Sequence, residues 1–488
     1  MRTLSLIPVL AACAAGAGDS PVAPPAPLDP PPLADGVRVD RVELVQAAPV
    51  VLMQDGVGVP SARPIVKGRP GILRAHVVRD GRRADFPVDV VLELVDANGE
   101  AETREVKGYF APYTIDVDVL EDTVNFEFDS TDLEPGMSWS ISVFEPEAER
   151  VRTGDHERPD SRFPAPGRGM APLAVGDHDA VIEVFVVPFS YEADGSSRQP
   201  PQGDADIAAL REQLYKMFPV REVRLTVVPV QPTEVLIEPS GGLGDLLEDL
   251  ATWRTQAGIP PTAYAYGLVQ PADSFDDFCV GACTIGLSYL VGNPNADGLR
   301  ARGGVGFPSV RADTFVHELG HAHGRRHAPC GAVSNADPDF PNPGGGLAGA
   351  GWDIVEEVLV NSVEHKDFMG YCKPRWVSAY QLSAIYEQMV AVDRMSSLGP
   401  PTPYPTWTIA LREGQAPRVR RIEPAVIQPG GEARRIEVLD GSGVVIREVE
   451  GWFYPFGHGE GGTLMVEDVG GAALRLPDGH LLSRELAR

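Results

Sequence analysis

Residues 317–327 read His317-Glu318-Leu319-Gly320-His321-Ala322-His323-Gly324-Arg325-Arg326-His327. On a helix, His317 and His321 lie four apart and share a face, so both imidazoles can grip one metal ion. Phe315, Leu319 and Ala322 supply the apolar stripe that anchors such a helix to a core. Glu318 stands beside the pair, placed to hold and deprotonate a water on that metal. Gly324 permits the left-handed conformation that ends the helix, and the turn brings back His327 as a third ligand. Three neutral imidazoles leave a fourth position for water, the arrangement of catalytic rather than structural zinc. Four of the ten histidines fall within these eleven residues, which argues against scatter. His323 has no part in this pattern and is expected to be a partly exposed or supporting histidine.

Downstream, Asp367-Phe368-Met369-Gly370-Tyr371-Cys372 places a methionine 42 residues after His327. Together the two segments resemble the metzincin clan of zinc metallopeptidases, whose motif is HExxHxxGxxH followed by a Met-containing turn. The resemblance implies that Met369 forms an apolar floor beneath His317, His321 and His327. It implies that Glu318 is the general base, and that Tyr371 touches the zinc or the developing oxyanion. His327-Ala328-Pro329-Cys330, the Asp/Pro/Gly-rich loop 337–351 and Trp376 are further similar to a bacterial group of secreted metzincins that includes mucin-cleaving proteases. The resemblance covers about residues 180–395. Ile285-Gly286-Leu287-Ser288-Tyr289-Leu290 alternates as an edge strand does, and by chain order the resemblance gives residues 286–290 the part of binding extended substrate by adding it to the sheet. Asp337 and Asp339 offer a possible Ca2+ site, against a plain solvated turn.

Five cysteines occur, at 13, 279, 283, 330 and 372. The segment Leu10-Ala11-Ala12-Cys13 follows a short apolar run and resembles a bacterial lipobox, which implies lipidation at Cys13. The four remaining cysteines form an even set in an exported chain and read as two disulfides. With the resemblance in hand, Cys330 follows the third ligand and Cys372 follows Met369, so the expected pairs are Cys330–Cys372 and Cys279–Cys283. A Cys/His zinc site is the rival reading, disfavoured by an oxidising compartment.

The chain has 488 residues, with 42 Lys+Arg against 69 Asp+Glu and a formal net charge of −27. That balance opposes sequence-independent nucleic-acid binding and electrostatic docking on anionic lipid, leaving the Cys13 anchor as the expected route to a membrane. Residues 1–13 read as a lipoprotein-type signal and 14–36 as a Pro-rich tether, with seven prolines in residues 21–35. Residues 37–151 carry period-two runs such as Val37–Val45 and Trp139–Val143, which predict a β-sandwich. A Pro/Gly-rich connector is expected over 152–172. Residues 173–398 alternate strand and helix, which predicts an α/β (α+β) domain with a mixed sheet, and the resemblance implies that it is metzincin-like and carries the zinc-binding helix. Residues 407–488 return to short strands and read as a second, smaller sandwich-like β domain. The first β domain contains no cysteine that could latch the zinc as a propeptide thiolate.

These readings combine into an exported zinc endopeptidase, at the cell surface or secreted, acting on extracellular proteins or glycoproteins. The alternative is a surface-tethered binding or adhesion lipoprotein in which the zinc domain is vestigial or regulatory.

Overall fold

The computed structural model describes residues 33–484, except residues 61–64, 81–86, 147–158, 261, 282, 294–301, 309–311, 396–403, 413, 426–430 and 460. The expected signal and lipidation site at Cys13 lie outside the described residues, as does almost all of the tether. Mostly sheet with several helices, the protein is a mixed α+β molecule.

The N-terminal region is a sandwich. One sheet holds β1 (Val37–Val45), β2 (Pro49–Gln54), β3 (Val57–Gly58), β4 (Gly71–Arg79) and β7 (Val124–Phe128). The other holds β5 (Val88–Val95), β6 (Ala101–Tyr109) and β8 (Ser138–Phe144). Alternation puts Val42, Leu44, Leu73 and Val77 from the first sheet into one core with Val90, Leu92, Trp139 and Ile141 from the second. The connector assigned to 152–172 is corrected at its C-terminal end. There β9 (Arg162–Phe163) and β10 (Ala171–Pro172) both pair with β8. Phe163 and Leu173 are buried in the sandwich core, so apolar burial holds a stretch whose Pro/Gly content alone suggested a linker.

The middle region is built on β11 (Val181–Tyr191), β12 (Glu222–Val227), β13 (Gln231–Thr233), β14 (Tyr264–Val269), β15 (Gly286–Ser288) and β16 (Gly303–Gly306). The order β12-β11-β14-β16-β15 is parallel except for β15, which runs antiparallel to β16 at the edge. Residues of β11 alternate between faces. Val184 and Val186 meet α1 (Asp204–Met217), while Val187 and Phe189 meet α2 (Leu243–Ala257). After α3 (Phe275–Phe278) comes α4 (Ala312–Ala322), which buries Phe315, Val316 and Leu319 against the first of these faces. Strands β17 (Gly351–Asp353) and β18 (Val358–Val360) form a hairpin, and β19 (Lys366–Asp367) pairs with β20 (Arg375–Trp376) before α5 (Ala379–Met395).

The C-terminal region differs from the sandwich expected there. It is one antiparallel sheet of seven strands: β21 (Tyr404–Arg412), β22 (Arg418–Ala425), β23 (Glu432–Leu439), β24 (Val445–Pro455), β25 (Gly461–Glu467), β26 (Ala473–Arg475) and β27 (Leu481–Ser483). It starts at Tyr404 rather than 407. Its own core holds Trp407, Ile436 and Val466. Tyr454, Phe456 and Met465 instead join the core of the middle region beside α2 and β15. Docking is reinforced by polar groups. The Tyr289 hydroxyl meets Glu248 and Thr463, and Arg412 and Arg418 both bond Asp245. On the other side, buried Arg69 of the sandwich donates to Val220 O and Lys216 O near the end of α1, and Trp376 Nε1 donates to Ala47 O. Among the described residues no helix is long and apolar enough to cross a membrane.

Candidate metal centre

Helix α4 carries His317 and His321, and its end is dictated by one residue. Gly324 has φ +76°, and a Cβ there would overlap Gly292, so both conformation and space demand glycine. The Gly324 N–H bonds His321 O at 2.7 Å and the Arg325 N–H bonds Gly320 O at 3.0 Å. The chain thereby reverses and returns His327.

Each of the three imidazoles is fixed through Nδ1 to a backbone carbonyl. His317 reaches Phe368 O at 2.9 Å, His321 reaches Arg325 O at 2.6 Å, and His327 reaches Ser334 O at 2.5 Å. A carbonyl only accepts, so Nδ1 carries the proton and Nε2 of each neutral ring keeps its lone pair. Those lone pairs converge: the Nε2 atoms of His321 and His327 are 3.2 Å apart. Burial, reinforced by the neighbouring imidazoles, holds His317 and His321 far below the usual histidine pKa, and lowers His327 to about 4. His317 Nε2 and Glu318 Oε2 are buried without a protein hydrogen-bond partner. Neutral rings with converging Nε2 atoms, that of His317 without a partner, beside a buried carboxylate fit a metal ion.

Met369 is fully buried against α4, where a Cβ at Gly320 would collide with its sulfur. Asp367 shapes the turn that presents it. One carboxylate oxygen accepts from Met369 N at 2.8 Å and the other from Ser378 N at 2.9 Å. Burial still pushes this carboxyl up to about 6. The disulfide Cys330–Cys372, with Cα atoms 5.6 Å apart, joins the ligand loop to this turn, and Ala328 N bonds Met369 O alongside it. Cys279 and Cys283 form the second bridge. Both pairings are those expected from the sequence, and two disulfides suit an extracellular or periplasmic protein. The rival Cys/His zinc site is excluded because all four thiols are consumed.

Tyr371 is brought to the same cluster. Its hydroxyl lies 3.5 Å from His327 Nε2, and burial, aided by the charge of Glu318, pushes its pKa up to about 12. His323 departs from expectation. It is 2% exposed, stacks on Tyr264 with ring centres 4.4 Å apart, and bonds Leu319 O through Nδ1. Two positions beyond His321, it points from the helix into the core, away from the metal ligands. Asp337 is engaged by Tyr380 and Arg325 and its backbone bonds His327 O, so it braces the ligand loop. The metal-ligand group found among the described residues is the histidine cluster and contains neither Asp337 nor Asp339.

One member of the cluster had no signal in the sequence. His458, in the glycine-rich turn between β24 and β25, places a ring nitrogen within 4.8 Å of the ligand atoms of His317, His321 and His327. Its Nε2 lies 3.0 Å from Glu318 Oε1 and its Nδ1 2.8 Å from the Tyr371 hydroxyl. Gly286 was expected only as part of the substrate-binding edge strand. A Cβ there would stand 2.6 Å from Glu318 Oε1, so this edge-strand glycine makes room for the carboxylate. Strand β15 is the expected sheet edge, but part of it is already paired. Gly457 N donates to Ser288 O and Leu290 N to Pro455 O. A cleft of about 360 Å³ opens on the other part, lined by Ile285, Gly286, His317, Glu318, Tyr371 and His458 among others.

The fold and site thus define a mixed α+β protein with a buried four-histidine group able to hold a metal ion. No family model matches the chain. It is similar to Dictomallein from Burkholderia mallei (strain SAVP1) and from Burkholderia pseudomallei (strain K96243), at 23% identity over 254 residues in each case. Each match covers 46% of this chain and 34% of the relative, about a third of the relative's length.

Proposed function

We propose that the protein is an exported zinc-dependent endopeptidase of the metzincin type, acting on extracellular proteins or glycoproteins. The observation that carries this reading is the convergence of the His317, His321 and His327 Nε2 lone pairs beside the partnerless Oε2 of Glu318. Three imidazoles around an open cleft are the donor set of a catalytic zinc site. When bound, the ion supplies Lewis acidity, polarising the scissile carbonyl and acidifying water.

The protein's own groups supply the rest. Glu318 Oε2 accepts the proton of the attacking water, and the carboxyl then hands it to the leaving amine. The Tyr371 hydroxyl stays protonated at neutral pH and donates to the carbonyl oxygen as charge develops on it. An extended substrate lies along Thr284, Ile285 and Gly286, which line the cleft at the start of β15. Met369 and the Cys330–Cys372 bridge hold the imidazoles in register.

The test is Glu318→Ala, assayed on casein and on a mucin-type glycoprotein with bound zinc weighed in parallel. Loss of cleavage with zinc retained supports the assignment. Undiminished cleavage by the zinc-loaded variant overturns it. The alternative, a tethered binding lipoprotein with a regulatory metal, is favoured only by the proximity of His458 to the other three rings, and predicts glycoprotein binding without cleavage.

A further inference from the structure

Three histidines of the middle region complete the donor set that the sequence announces, yet a fourth arrives from a different domain. We propose that His458 is the fourth protein ligand of the metal in the substrate-free protein, so that the C-terminal domain closes the centre that the middle domain builds. The inference rests on the metal-centre reading above and adds to it a resting state.

The position of His458 is built. Its ring centre lies 4.8 Å from those of His321 and His327 and 5.2 Å from that of His317. The turn that carries it is anchored to the edge strand through Gly457 N and Ser288 O at 2.9 Å, and through Leu290 N and Pro455 O at 2.8 Å. On the far side it meets the ligand loop, where Gly459 N reaches Ser334 Oγ and Asn335 Nδ2 reaches Gly459 O, each at 3.4 Å. Ser334 is the residue whose carbonyl fixes His327. The approach is close enough to require a glycine, since a Cβ at Gly457 would stand 2.5 Å from Cδ2 of His321. Phe456, next in the chain, is buried in the core shared with α2 and β15. A turn held from both sides and pressed on a ligand ring is part of the site.

The chemistry follows from the tautomer. In the arrangement observed, His458 donates from Nε2 to Glu318 Oε1, and Nδ1 accepts from the Tyr371 hydroxyl. A neutral imidazole has one lone pair and one N–H. Moving its proton from Nε2 to Nδ1 frees Nε2 for the metal, and the Tyr371 oxygen then accepts from Nδ1. His458 would thus match its three neighbours, each of which donates from Nδ1 to an oxygen. Four imidazoles close a tetrahedral site, whereas catalysis needs a position open. Substrate entry therefore displaces His458 from the metal, leaving the Tyr371 hydroxyl to the substrate.

The experiment uses the full chain, stripped with chelator and loaded with Co2+, and proton NMR of the solvent-exchangeable, hyperfine-shifted imidazole N–H signals. Wild type is expected to show four such signals and His458→Ala three. Azide is expected to perturb the visible Co2+ spectrum of His458→Ala at concentrations at least tenfold lower than for wild type. Four signals in wild type stand as support even if the variant folds poorly. Three signals in wild type, or equal azide titrations in both folded proteins, overturn the proposal and leave the three-histidine centre in place. Failure of wild type to bind Co2+ overturns both.

Discussion

The Nε2 atoms of His321 and His327 face each other at 3.2 Å, and neither carries the proton, because each ring donates from Nδ1 to a backbone carbonyl. Two lone pairs at that distance repel unless a cation lies between them. Metal removal should therefore destabilise the protein. A ligand present at a thousandfold excess over its Kd contributes about 4 kcal/mol to stability, and in large domains each kcal/mol moves Tm by about 2–4 °C. Chelator treatment is expected to lower Tm by several degrees, reversed by zinc. Identical melting curves with and without chelator would refute it.

Gly286 and Glu318 give a way to disturb the base without touching the ligands. The Cβ introduced by Gly286→Ala would press on Oε1 and displace the carboxylate. Misplacement by about 1 Å can cost about 100-fold in rate. Cleavage should fall by that order while bound zinc per chain is unchanged. A variant with wild-type turnover would show that Glu318 has room to move.

The disulfide between Cys330 and Cys372 restrains both the chain after His327 and the turn carrying Met369. Closing a loop of this length stabilises by about 3–4 kcal/mol in chain-entropy terms. In a double Cys330→Ser, Cys372→Ser variant the outer β domains should still fold, with zinc affinity reduced at least tenfold and most activity lost. Chelator competition reads the affinity, and an unchanged value would contradict the account.

His323 gives a pH dependence whose sign is fixed. Burial lowers its folded pKa to about 3, against about 6.5 in an unfolded chain. The unfolded state binds more protons between these values, so stability is fully present above about pH 6.5 and declines as pH falls toward 3. His323→Phe should melt with a shallower dependence between pH 7 and 5 than wild type. Parallel curves for the two proteins would show that His323 does not carry the effect.

Much of the site was legible because its information is local. The four-residue spacing of His317 and His321, the stripe of Phe315 and Leu319 and the glycine at 324 are properties of one helix and its end. Period-two alternation marked strands such as Val37–Val45, yet alternation does not say which sheet a strand joins. Strands β9 and β10 were therefore read as linker, and the C-terminal strands as a sandwich. His458 was invisible for the same reason. It is one histidine in a glycine-rich turn, 140 residues along the chain from the Glu318 it contacts, and only packing of Tyr454 and Phe456 against the middle region delivers it. His323 shows the converse. It was expected to be partly exposed or supporting, whereas the helical phase two positions beyond His321 turns it into the core.

The central claim, that His317, His321 and His327 form one metal centre, is tested most directly by calorimetric titration of Zn2+ into the chelator-stripped full chain. Saturation at one high-affinity ion per chain is predicted, together with loss of that binding in His321→Ala while the fold, followed by circular dichroism, is retained. A wild-type chain that takes up no stoichiometric zinc, or a His321→Ala variant that binds it as tightly, would contradict the account.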